Sequence, residues 1–89
     1  MNTTSTVQIK CEIAEGMFAG EFAATIHGVD GNVSLFVDEV LVSQDRRWLR
    51  VTQVGDANGH TRVLLPSEAF ETGSRWVDLS NDNVRPAER

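Results

Sequence analysis

Eighty-nine residues, 40% hydrophobic and 24% charged, make one globular domain, because a chain of this length buries only roughly 60% of its unfolded surface and cannot build two cores. The composition excludes a disordered or collagen-like segment, and no apolar run nears the roughly 20 residues that a membrane-spanning helix needs. The net charge of −5 repels nucleic-acid phosphate and so disfavours non-specific binding to DNA or RNA.

In chain order, residues 1–5 are expected to be a flexible N-terminus, residues 6–84 the folded domain and residues 85–89 a flexible C-terminus. "TVQIKCEIA" alternates, with Val7, Ile9, Cys11 and Ile13 on one face and Gln8, Lys10 and Glu12 on the other. That period of two predicts a half-buried strand. "GMFAGEF" follows it and sets Met17 and Phe18 between two glycines. "EFAATIH" alternates again through Phe22, Ala24 and Ile26, and "GVDGN" supplies the reversal that leads into "VSLFV". "VLV" at residues 40–42 is expected to be a further short strand or a continuation after a bend at Asp38 and Glu39. "RWLRVTQV" is rich in strand formers, and Asn58-Gly59 makes the strongest hairpin signal in the chain before "TRVLLP". Pro66 ends that strand, "SEAFET" has room for a single helical turn, and "SRWVDLS" is the last strand, ahead of a short turn at "NDNV".

The expected fold is therefore all-β, a small barrel of five to six strands with at most single helical turns. An OB-fold would carry a helix between its third and fourth strands, and no segment here is long enough for one. The ordering of the pieces, a longer first loop at "EGMFAGEF", central hairpins, a short turn at "PSEAF" and a final "RWVDL", resembles an SH3-like barrel. SH3-like barrels host unrelated functions, so the resemblance implies an architecture and no activity. Polyproline-binding SH3 domains carry a tyrosine-rich first loop, and this chain has no tyrosine.

No motif specifies an enzyme. There is no nucleophile elbow, P-loop or dinucleotide fingerprint. His27 and His60 stand beside turns without further donors at ligand spacing, and "DANG" fails as a calcium loop because position twelve from Asp56 is Ser67. No cofactor is implied. Cys11, the single cysteine, shares the inward parity of its strand and is expected to be a buried, unreactive thiol; a lone cysteine also agrees with a reducing compartment. The start "MNTTSTVQ" lacks the basic and apolar regions of a secretory signal, which leads to the expectation of a cytoplasmic protein.

What remains is surface. Residues 1–44 hold one base, Lys10, against Glu12, Glu15, Glu21, Asp30, Asp38 and Glu39, whereas the arginines of residues 45–89 balance its acids. Arg46, Arg47 and Arg50 flank Trp48, and Arg62 lies in the facing strand, where it could stand near Arg50. The bland reading pairs these arginines with the chain's own carboxylates, Asp45 and Asp56 among them. Val54 breaks the parity of Leu49 and Val51, and residues 63–65 are apolar on both faces. Either a bulge near Gln53 re-aims the strand, or a second layer or second copy of the protein covers the other face. Met17 and Phe18, adjacent in an extended chain, point to opposite sides, so one is expected to anchor the loop and the other, Phe18, to be exposed. These features favour a non-enzymatic protein-interaction module whose partner is another protein or a second copy of the chain, with Met17, Phe18, Arg46, Arg47, Trp48 and Arg50 as contact residues. The alternatives are a barrel that binds single-stranded nucleic acid through Arg46, Arg47, Trp48 and Arg50, and an acidic decoy or inhibitor of a basic partner.

Overall fold

The computed structural model describes residues 5–87. Seven antiparallel strands, β1 (Ser5–Glu15), β2 (Glu21–Gly28), β3 (Gly31–Asp38), β4 (Trp48–Ala57), β5 (His60–Leu64), β6 (Trp76–Ser80) and β7 (Val84–Pro86), form one curled sheet. Its order is β3-β2-β1-β4-β5-β6, with β7 laid on the other edge of β1. No segment between β3 and β4 is helical beyond a 3-10 turn at Glu39–Leu41, and among the described residues no helix is long and apolar enough to cross a membrane.

β1 makes the curl. Its second half pairs with β2, from Cys11 opposite Ile26 to Glu15 opposite Phe22, and its first half pairs with β4, from Ser5 opposite Gln53 to Lys10 opposite Trp48. The alternation in the sequence aims one face of each strand inward, and Val7, Ile9, Cys11, Ile26, Leu35, Leu49, Val63 and Leu79 are buried together. The core is aliphatic: none of the four phenylalanines or two tryptophans is fully buried.

The sheet does not close strand to strand. Residues 66–75, between β5 and β6, form a strap across the free edge of β3: the Phe70 N–H donates to the Ser34 carbonyl at 2.9 Å and the Ser34 N–H donates to Glu71 Oε1 at 2.6 Å. Ala69 enters the core, and the Phe70 ring meets Phe36 edge-on with centroids 5.1 Å apart. Unpaired edges template aggregation, and the strap occupies this one. At the end of β2, the Val29 N–H donates to the Asp78 carbonyl at 2.9 Å. A Cβ on Gly28 would lie 2.8 Å from Val77 Cγ2, so this approach of β2 to β6 requires glycine.

Four expectations are corrected. Residues 40–42 are not a strand: the Asp38 side chain accepts from the Val40 N–H at 3.0 Å, capping the 3-10 turn, and only Val42 forms a bridge, to Leu49. The cap offers the backbone an alternative to a ladder. Second, the domain does not end at Val84, because Arg85 and Pro86 lie in β7, with Gln8 opposite Arg85; proline fits there because an edge strand need not supply its N–H to the sheet. Ser5 likewise opens β1, while residues 1–4, 88 and 89 lie outside the described residues. Third, Arg50 and Arg62 do not face each other: Arg50 stands opposite Gln8 on β1, and Arg62 stands opposite Gly55. The register shift between Gln53 and Gly55 is the bulge, the first of the two alternatives that the parity of Val54 left open. Fourth, Met17 does not fold beneath the first loop but is exposed.

Candidate functional site

The first loop is built to hold its shape. The Gly16 N–H donates to the Glu21 carbonyl at 3.1 Å, the Glu21 N–H donates to the Phe18 carbonyl at 3.2 Å, and the Met17 N–H donates to Glu21 Oε1 at 3.0 Å. Gly16 is needed at the base, since a Cβ there would lie 2.7 Å from the Glu21 carbonyl oxygen. With its backbone closed by these bonds, the loop needs no hydrophobic anchor. Met17 is therefore not folded beneath it: Met17 and Phe18 are both 72% exposed. Phe22, by contrast, packs on the core.

Two further segments meet this end of the half-barrel. The Glu39 N–H donates to the Gly20 carbonyl at 2.9 Å, which places the 3-10 turn beside the loop and leaves Val40 79% exposed. The turn before β4 brings Arg46, whose guanidinium lies 4.8 Å from the Phe22 ring centroid. Arg46 holds a positive φ of 59°, a conformation that costs a non-glycine residue about 1 kcal/mol. Ser43 and Asp45 compensate: the Ser43 Oγ accepts from the Trp48 N–H at 3.1 Å, the Arg47 N–H donates to Asp45 Oδ1 at 3.3 Å, and the Ser43 hydroxyl donates to Asp45. The Ser43 hydroxyl, with help from the Arg47 N–H and the arginine charges, holds the Asp45 carboxyl below the usual carboxylate range. Glu15, Glu21 and Arg46 line a shallow recess of about 390 Å³ with Met17, Phe18 and Phe22.

The expected contact residues thus divide. Met17, Phe18 and Arg46 share the first-loop end. Trp48 and Arg50 lie on the outer face of β4, opposite Lys10 and Gln8. Trp48 is half-buried there, with the Arg85 guanidinium 4.0 Å above its ring, and Arg85 Nε also donates to Gln8 Oε1 at 2.9 Å. Arg47 is exposed in the turn between the two groups. Arg85 was missed by sequence reasoning because a three-residue strand carries no periodicity.

The arginines are partly neutralised within the chain: the charges of Arg47 and Arg85 act on Asp45, one of the acids expected. Arg62 binds Asp78, not Asp56, through Nε to Oδ1 at 2.7 Å and Nη2 to Oδ2 at 3.1 Å. His27 is also engaged: Nδ1 lies 2.9 Å from Asn32 Oδ1 and Nε2 lies 2.6 Å from Glu12 Oε2. Two oxygen acceptors favour a doubly protonated ring, and its pKa is raised by Asn32 first and then Glu12. Cys11 is buried as expected, and desolvation, with the Asp45 charge adding, pushes its thiol up to about 12. Ser67 caps no helix; its Oγ donates to the Phe36 carbonyl at 3.4 Å, as part of the strap. Among the described residues no three His, Cys, Asp or Glu side chains group so as to hold a metal ion.

Comparison with protein-family models, with curated proteins and with solved structures finds no match to this chain.

Proposed function

We propose that the chain is a non-enzymatic protein-interaction module that receives a partner on the first-loop end of the half-barrel. The observation that carries this reading is the pair Met17 and Phe18, both 72% exposed on a loop whose backbone is closed by hydrogen bonds. A fixed loop that presents apolar side chains loses little entropy on binding. The core is aliphatic, and Phe18 is not spent on it, which adds support, since exposed aromatics anchor interfaces.

Glu15, Glu21, Asp38 and Glu39 sit around this apolar tip, with Arg46 the cation among them. The complementary partner presents an apolar anchor flanked by lysine or arginine, which joins the interaction reading to that of an acidic decoy. A symmetric contact between two copies through this end would bring the acids face to face, so self-association is the weaker version of the proposal. The finer likeness to SH3-like barrels, and the use of the Trp48 hairpin as a second contact, belong to the same proposal.

Nucleic acid is the second reading, favoured by the gathering of Lys10, Arg50 and Arg85 around Trp48. Arg85 already covers one face of that ring, which weakens it as a stacking platform. Retention of single-stranded DNA or RNA at low salt, lost as salt rises, would support this alternative.

The test is capture from a lysate of the source organism by immobilised wild type and by Met17→Asp and Phe18→Asp variants. A protein retained by the wild type and lost by both variants supports the proposal. Equal retention by all three rejects it.

A further inference from the structure

A second surface, away from the first loop, lies where the sheet fails to close. The β2–β3 turn, the end of the strap and β6 enclose a cleft of about 450 Å³. Trp76 forms part of its wall and is 52% exposed. Leu64 stands opposite Trp76 on β5, so the indole is presented from a sheet rather than from a free loop.

The polar groups of the cleft are held in place by the protein itself. Arg62 and Asp78 brace each other in the bidentate pair described above. Two of the five guanidinium N–H groups are used there, which leaves three for a ligand. Asn32 Oδ1 faces His27 and leaves the Nδ2 donors; Glu71 Oε1 accepts from the Ser34 N–H, and a carboxylate has lone pairs for further donors. Ser74 Oγ accepts from the Trp76 N–H at 3.0 Å, tying the strap to the start of β6. Groups fixed in this way need no reordering when a ligand arrives.

The chemistry of this set selects the ligand. The cleft offers donors on Arg62 and Asn32 and acceptors on Asp78 and Glu71, and a hydroxyl is the group that both donates and accepts. A phosphate only accepts, and would meet Asp30, Glu71 and Asp78 against the single cation Arg62. An ammonium only donates: it would answer the carboxylates and leave the Arg62 and Asn32 donors without an acceptor. The apolar C–H face of a sugar ring fits an indole surface, while its rim of hydroxyls fits mixed donors and acceptors.

We propose that the cleft between the β2–β3 turn and β6 binds a neutral saccharide ring, stacked on Trp76 and held through its hydroxyls by Arg62, Asp78, Asn32 and Glu71. This proposal does not rest on the first-loop reading. The test is titration of the full chain with maltohexaose, cellohexaose and chitohexaose, followed by proton–nitrogen NMR. The chain has two tryptophans, so the Trp48 indole N–H is an internal reference for that of Trp76. At least one of the three sugars is expected to shift the Trp76 signal saturably, with a dissociation constant of about 1 mM or tighter, and to leave Trp48 in place. Trp76→Ala should abolish the response of the cleft's backbone signals, and Arg62→Gln should weaken it about tenfold, the loss of one good charge-assisted hydrogen bond. The proposal is overturned by no saturable shift up to about 10 mM with any of the sugars, by an unchanged response in Trp76→Ala, or by a response to AMP or tetramethylammonium alone. Should a variant fail to fold, the wild-type titration decides.

Discussion

The first loop and the strap are both short connections carrying an exposed phenylalanine, yet they perform opposite tasks. The strap turns inward: Ala69 is 3% exposed, Phe70 leans on Phe36, and its hydrogen bonds go to the edge of β3. The first loop is closed by bonds between Gly16, Met17, Phe18 and Glu21, and turns Met17 and Phe18 to solvent. An exposed ring is therefore not by itself a contact site. What distinguishes the two is whether neighbouring bonds spend the loop on the protein's own structure.

Breaking the strap should have the largest effect. Ala69→Asp places a carboxylate in the core and should cost about 3 kcal/mol or more, read from urea unfolding. Gly16→Ala comes next: its Cβ would fall 2.7 Å from the Glu21 carbonyl oxygen, so the base of the first loop must shift, at about 1–2 kcal/mol.

Two smaller effects have opposite pH dependence. The Ser34 N–H holds the Glu71 carboxyl below its ordinary value. The stability it adds is present above the unfolded pKa of 4.5 and is lost as pH falls through the lowered folded value. The gap in urea midpoint between wild type and Glu71→Gln should therefore be widest at neutral pH and close in acid. His27 is raised above 6.5, so its contribution is complete below that pH and fades as pH rises through the folded value. The gap between wild type and His27→Ala should be widest in mild acid and vanish in alkali. The smallest effect on stability is expected of Phe18→Asp, within about 0.5 kcal/mol, because the side chain touches little.

Much of the fold was legible. Alternation placed the inward faces of β1 and β2, and Asn58-Gly59 makes the expected hairpin turn, with φ of 57° and 80°. The broken parity at Val54 left a bulge or a second covering layer as alternatives, and the register shift between Gln53 and Gly55 is the bulge. Residues 40–42 misled because apolar content alone does not report a side-chain cap such as Asp38. β7 and the Arg85 contact with Trp48 were hidden because three residues next to a proline look like a tail. The fate of Met17 and Phe18 was illegible for a different reason: parity describes an extended chain, and this loop is closed by bonds to Glu21 and Phe18. Likewise, the saccharide cleft joins residues around 30, 62 and 76, a proximity that only the curled sheet creates.

The most direct test of the central claim compares wild type with a Met17→Asp/Phe18→Asp double variant, matched for unfolding midpoint, in binding to the partner the wild type captures. The account predicts that the double variant loses binding at least tenfold, about 1.4 kcal/mol, with folding unchanged. Equal affinity, with the loop altered and the fold intact, would contradict it.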